Sequence, residues 1–278
     1  MGDSNAYILG TDQEELKRLE LQHSIWSSES HVGWRAAGFN RGDSILDLGC
    51  GPGSCSVELA KIVGPDGRII SIDRSESFIR YLNVLKTEQK LPIDAIHADF
   101  DGMDLQAESL DGMYARWALA WVPNPKDVIE KVLNALKPGS KLVIHEYYNW
   151  STHSIFPEYP NIKQCINSAL KSFKDSDSEI DVGAHIPQYL DELGASIHST
   201  RLMAKLAEPR TDVWKWPVTF YKSYFPRLVD SGYLKQEMVD QAFLELKTIE
   251  ALPYARLACP TMICLLYTSD AADEEDSV

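Results

Sequence analysis

The chain has 278 residues, which allows one large domain or a domain with a cap, and its 44% hydrophobic and 24% charged residues are ample for a folded core. A net charge of −14 argues against nucleic acid or an anionic membrane as partner, since either requires a basic face. The five cysteines are scattered and lack metal-ligand spacing, so neither a disulfide framework nor a zinc site is expected. Met1–Asn5 is small and polar with no apolar stretch after it, so no signal peptide is expected and a cytoplasmic location is.

Asp12–Ala37 carries Leu16, Leu19, Leu21, Ile25 and Trp26 among many charges. The pattern predicts an amphipathic helix, in one piece or two, with Asp12 and Glu15 as a capping start. It is either a packing helix or a lid that turns Tyr7, Gln22 or Trp26 toward a site. Ser44–Leu48 follows the turn Arg41-Gly42-Asp43 and reads as a buried strand. Gly49-Cys50-Gly51-Pro52-Gly53 is then a loop without bulky side chains, and Ser54–Val63 resumes at helical spacing. Strand, glycine loop and helix N-terminus open a nucleotide-binding α/β unit. The loop departs from the dinucleotide fingerprint Gly-x-Gly-x-x-Gly, because Ser54 takes the third place and a glycine comes one residue early, at Gly53. Asp47 at the strand end repels a pyrophosphate and suits a ligand that carries an ammonium group.

At Leu46-Asp47-Leu48-Gly49-Cys50-Gly51-Pro52-Gly53 the sequence resembles the first motif, Asp-x-Gly-x-Gly-x-Gly, of the class I methyltransferases that use S-adenosylmethionine (SAM). The resemblance implies SAM as cofactor, held by Asp47, Gly49, Cys50, Gly51 and Gly53. A tight turn in an unrelated α/β protein is the alternative. Arg68–Ile72 is the second strand and ends in Asp73-Arg74-Ser75. Asp73 stands about 20 residues after the loop, where a carboxylate grips two ribose hydroxyls. Arg74 is its neighbour at the site, and Asp73 or Ser75 also serves as a cap for the helix Glu76–Glu88. Ile93–His97 is the third strand. By the same resemblance Asp99 beyond it bonds the adenine amino group and Phe100 lines the ring.

Leu110–Ala118 is the fourth strand. Its tip, Arg116-Trp117-Ala118-Leu119, resembles the small-molecule branch of the family, which includes ubiquinone and menaquinone methyltransferases, and places Arg116 at the cofactor. The Asn/Asp-Pro-Pro-Tyr/Phe wording of base-methylating enzymes is absent. Asn124–Lys137 reads as a helix that stops at Pro138-Gly139, and Ser140–Tyr148 as the fifth strand. The chemistry needs a base only if the acceptor must lose a proton. No catalytic residue is assigned; His145 and Tyr147, on one face of that strand, are the candidates. Trp150–Phe156 reads as a loop, Tyr159–Phe173 and Ile186–Leu193 as helices, and Ser196–Met203 as the sixth strand. An insertion over about 209–249 adds two helices rich in aromatics, among them Trp214, Trp216, Phe220 and Tyr224, as a wall for an acceptor or as an assembly face.

Cys259–Leu266 is expected as the last, antiparallel strand. Cys264–Glu274 reads like an in-frame translation of a DNA-library adapter, so 264–278 is set apart as non-native. The expected architecture is α/β: a doubly wound, mostly parallel seven-stranded sheet of the Rossmann-like methyltransferase type with N-terminal helices and a helical cap. Its parts are a lid over 1–40 and a methyltransferase domain over 41–263. The expected activity is methyl transfer from SAM to a small apolar or aromatic acceptor, with no metal, nucleic acid or membrane involved. A non-catalytic SAM-binding protein and a nicotinamide-dependent oxidoreductase are the alternatives. Oligomeric state is not set by the sequence.

Overall fold

The computed structural model describes residues 13–176 and 179–268, so Tyr7 lies outside the described residues. Five strands, β1 (Ser44–Leu48), β2 (Arg68–Asp73), β3 (Ile93–His97), β4 (Leu110–Arg116) and β5 (Leu136–Asn149), pair in parallel. Their aliphatic runs explain the arrangement. Ile45, Leu46 and Leu48 are at most 1% exposed, as a strand covered on both faces requires. The covering helices are α1 (Gln13–Ala37), α2 (Ser54–Val63), α3 (Glu76–Gln89) and α4 (Pro125–Ala135). α1 is one helix. It comes so close to the sheet that a Cβ added at Gly33 would stand 2.7 Å from Val143 Cγ1, so a larger residue there would force that side chain to shift.

The α4–β5 turn differs from its expected place. The helix ends at Ala135, and Leu136 already pairs with Leu110 of β4 before Pro138-Gly139 is reached. Burial of Leu136 in the sheet outweighs one further helical turn.

Beyond β5 come β6 (Ser154–Phe156), α5 (Pro160–Asp175), α6 (Ile186–Glu192), β7 (Ser196–Met203) and β8 (Leu206–Ala207). The chain closes with α7 (Asp212–Asp230), α8 (Gln236–Glu250), β9 (Arg256–Ala258) and β10 (Thr261–Thr268). The main sheet has the order β3-β2-β1-β4-β5-β10-β7, with β10 antiparallel to both neighbours. β10 starts after Pro260, which has no N–H for a ladder. It then runs through Thr268 with Leu265 and Tyr267 fully buried. Cys264–Thr268, set apart above as a tail, is therefore part of the central sheet, and the division at Ile263 falls inside a strand.

β6, β9 and β8 form a separate three-stranded sheet, and of the three only β6 lies in the stretch that reads as a loop. The cap is also larger than the 209–249 insertion, because α5 packs against both α7 and α8. The chain runs outward from β1 to β3, then returns to β4 on the other side. That reversal opens a crevice at the carboxyl ends of β1 and β4.

Candidate active site

One cavity occupies this crevice, and the strand tips supply its polar end. Asp47, Gly49, Cys50, Gly51, Asp73, Arg74, Asp99, Phe100 and Arg116 all line it. Gly53 does not. It has φ 91° at the start of α2, and a Cβ there would lie 2.3 Å from Leu82 Cδ1. Gly53 is thus demanded by backbone conformation and by the packing of α3, and it stands behind the wall.

Asp73 organises the loop. One carboxylate oxygen accepts the Gly51 N–H at 2.8 Å and the other accepts the Ser75 N–H at 2.8 Å. Burial pushes its pKa up, and these two N–H groups pull it back. Ser75 caps α3 by accepting from the Phe78 N–H, so of the two residues expected as a cap it is Ser75 that takes the role. Asp47 is 2% exposed and accepts the Ser56 hydroxyl at 2.5 Å, which ties β1 to α2. Burial raises it to about 6, against the pull of Ser56 and Arg116. Asp99 accepts the Phe100 N–H at 2.8 Å and so starts the turn that brings Phe100 to the wall. Burial first, then Asp47 and Asp73, push the Cys50 thiol well up, so it is inert beside the loop.

The opposite end is aromatic. Its wall comes from Trp117, Trp121, Tyr147, Trp150, Phe173, Trp216 and Phe220. Trp117 lies at the hub: its ring stacks on Tyr147 at 5.7 Å and on Trp216 at 5.7 Å, and meets Trp26 edge-on at 5.9 Å. Its backbone has φ 53°, a left-handed conformation that costs on the order of 1–2 kcal/mol for a non-glycine residue. The Trp117 N–H bonded to the His145 carbonyl at 2.9 Å and the indole N–H on Met262 Sδ at 3.2 Å hold it there. Just beyond it, the Glu146 carboxyl accepts the Leu119 N–H at 2.7 Å and anchors the 3-10 turn Leu119–Trp121. Glu146 is fully buried, and burial raises it to about 8 despite several backbone N–H groups.

α1 closes the mouth with Arg18, Leu19 and Gln22. Gln22 Oε1 accepts from Arg18 Nη1 at 3.1 Å and from Trp216 Nε1 at 2.9 Å, which joins α1 to α7. Trp26, Trp214 and Tyr224 are not in the wall. Trp26 supports Trp117 and Trp216 from behind, and Tyr224 stacks on Phe173 and Phe220.

The two candidates for proton transfer part company. Tyr147 lines the cavity, whereas His145 lies beneath α1 with its Nδ1 3.3 Å from the Tyr114 hydroxyl. Burial, then Arg116 and Arg201, lower His145 to about 3, so it is a neutral core residue and the base role is withdrawn. Trp117, Trp121, Trp150 and Phe173 were not singled out from the sequence. Only the position of Trp117 one residue past Arg116 marked it, and the other three reach the cavity through tertiary packing.

Known proteins resemble the chain in sequence and in fold. The chain is 31% identical over 146 residues to the demethylmenaquinone methyltransferase of Lactococcus lactis, covering 50% of this chain and 56% of that protein. It is 25% identical over 169 residues to the enzyme of the same name from Desulfitobacterium hafniense, covering 58% and 64%. The chain thus spans between half and two thirds of these relatives. A structure from Bacillus halodurans matches with TM-score 0.61 at 12% identity, over 88% of this chain and 100% of that one. The SAM complex of Haemonchus contortus phosphoethanolamine N-methyltransferase 2 matches with TM-score 0.54 at 12% identity, over 88% and 53%. The [4+2]-cyclase SpnF matches with TM-score 0.55 at 16% identity, over 88% and 81%, so the fold alone does not set the chemistry. The profile of the methyltransferase domain family matches residues 39–194, more than half of the sequence, and the chain belongs to that family.

Proposed function

We propose that the chain transfers a methyl group from SAM to a small, apolar or aromatic acceptor. The observation that carries this reading is the two-ended cavity, with strand-tip carboxylates and a glycine loop facing a wall of stacked rings. The polar end suits SAM. Each Asp73 oxygen takes one backbone N–H and has capacity for a second donor, as two ribose hydroxyls require. A Cβ added at Gly51 would meet nothing within 4 Å, so the loop faces open space. Asp73 would hold the ribose, Asp99 and Phe100 the adenine, and Asp47 with the loop the amino-acid end.

When bound, SAM supplies an electrophilic methyl group on a sulfonium, so little is asked of protein side chains beyond alignment. The ring wall gives the acceptor an apolar seat and keeps water from the reacting end. α1 and α7, tied through Gln22, cover both. The relatives' name, demethylmenaquinone methyltransferase, specifies a quinone-type acceptor, and such a ring fits a wall of this kind.

Calorimetry with SAM, its demethylated product and nicotinamide nucleotides tests the cofactor. SAM and its product should bind and the nicotinamides should not. A screen of phenols, quinones, amines and fatty acids with methyl-labelled SAM tests the acceptor. Binding without transfer to any of them would leave a SAM-binding protein and remove the enzyme.

A further inference from the structure

Arg116 lines the cavity at the tip of β4, yet two of its N–H groups are taken up by α1. Nη1 donates to Ser30 Oγ at 3.2 Å, and Nη2 lies 3.3 Å from His23 Nδ1. A guanidinium has donors only, so His23 Nδ1 must accept and carries no proton. The ring proton is then on Nε2, which donates to Glu58 Oε1 at 3.2 Å. Glu58, on α2, also takes His31 Nε2 on its other oxygen at 3.1 Å. One ring thus connects α1 to the cofactor side of the cavity and to α2, and only one tautomer satisfies both contacts.

We propose that His23 is a positioning residue for the cofactor site: as the Nε2–H tautomer it accepts from Arg116 and fixes the guanidinium against the cavity. This rests on the SAM-binding reading for its functional consequence. A second proton on Nδ1 would set a donor and a positive charge against Arg116, and this tie would open while those from Ser30 to Arg116 and Tyr114 remain. Burial, then Arg116, lowers the pKa of His23 below its ordinary value, in keeping with a neutral ring. Glu58, the Cys55 thiol at 3.8 Å and His31 are the other titratable groups that face the ring. Arg116 in turn faces Asp47 and Tyr114 and lies near His145. Of these, Asp47, raised to about 6, titrates within the pH range of the test, so it must be separated from His23.

The test has a ligand-independent arm and a binding arm, both on the full chain. Nitrogen-15 imidazole spectra at pH 7.5 should show His23 as neutral Nε2–H; an Nδ1–H tautomer or a cation overturns the proposal. SAM affinity, measured by calorimetry, should weaken about ten-fold from pH 8 to pH 5, the acid limit lying below the ordinary imidazole range because the His23 pKa is lowered. His23→Gln should bind nearly as well as the unaltered chain at pH 8 and weaken no more than about three-fold, because its amide oxygen accepts from Arg116, its NH2 donates to Glu58, and it does not titrate. His23→Ala should bind at least five-fold more weakly already at pH 8. An equal fall with pH in His23→Gln assigns the titration to Asp47 and overturns the proposal, as does an unchanged affinity in His23→Ala. A chain that binds no SAM at any pH removes the cofactor reading, and the imidazole spectrum still decides the tautomer.

Discussion

The two ends of the cavity are built by opposite means. The polar end is made of short local segments, each a strand tip and the few residues after it: Asp47–Gly51, Asp73–Arg74, Asp99–Phe100 and Arg116. Its geometry comes from backbone N–H groups held by carboxylates within 22 residues of chain, as in the Gly51–Asp73 bond. The aromatic end is assembled from far-apart pieces, Trp117 of the β4 tip, Tyr147 of β5, Phe173 of α5 and Trp216 of α7, with Trp26 of α1 behind. A site held by local backbone bonds should lose binding when altered while the fold stands. A site held by long-range stacking should lose fold and function together.

Trp117→Ala is the severest trial of that contrast. Removing the hub of three ring contacts should cost about 3–5 kcal/mol of stability by urea unfolding, and acceptor turnover with it. A cost under about 1 kcal/mol would mean that the rings are a lining added to a finished fold. Asp73→Ala should weaken SAM binding by about 2–4 kcal/mol, from lost bonds to the ribose and a loosened loop. Stability should fall by a smaller amount, since the Gly51 and Ser75 N–H groups lose their acceptor. Affinity within a factor of two by calorimetry would make Asp73 a loop brace and nothing more.

Glu146 sharpens the contrast through pH. Its folded pKa, about 8, is raised above the unfolded value, so the stability it contributes is complete in acid and is lost as pH rises through about 8. Glu146→Gln does not titrate. Between pH 5 and 9 the unaltered chain should lose on the order of 1–3 kcal/mol relative to this variant, read from melting temperatures. A constant difference across that range would show that the carboxyl is not held protonated. The smallest effect belongs to Tyr114→Phe. The lost bonds to Ser30 at 2.7 Å and to His145 Nδ1 at 3.3 Å should cost about 1–2 kcal/mol, kept low because Ser30 retains Arg116 as a donor. A cost above about 3 kcal/mol would mean that α1 is latched to β4 mainly through that hydroxyl.

The same division explains what could be read without coordinates. β1, β3, β7 and α2 end where hydrophobic period and turn residues place them, since those signals act over a few residues. The strand-tip residues were legible for the same reason, as they follow their strands at fixed short distances. Gly53 shows the limit of motif reading: the loop wording needs it, but for Leu82 and not for a ligand. His145 sits at a strand end, where a base is looked for, and only the packing of α1 over it shows that it is sealed off. β6, β8 and β9 have two or three residues each, and β6 lies about 100 residues from its partner β9. No local pattern of that length stands out, so Trp150–Phe156 reads as loop and the other two pieces as no element. Phe173 joined the wall because α5 packs on α7, a contact that no spacing along the chain encodes.

The antiparallel joining of β7 to β10 has a consequence for how such a protein can change. Two adjacent antiparallel strands need only a tight turn between them, so everything from Ala204 to Pro260 is, topologically, one hairpin loop. Closing a flexible loop costs only about 0.6 kcal/mol more for each doubling of its length. Residues can therefore be added at exposed turns of this stretch at little entropic expense, while the register of β7 on β10 stays as it is and the buried rings of α7 are kept. Trp216 and Phe220 ride on this loop, whereas Asp47 and Asp73 do not. The scaffold is in effect a fixed socket with an adjustable jaw: growth at the jaw's exposed turns can reshape its aromatic end, while its buried rings stay tied to the fold.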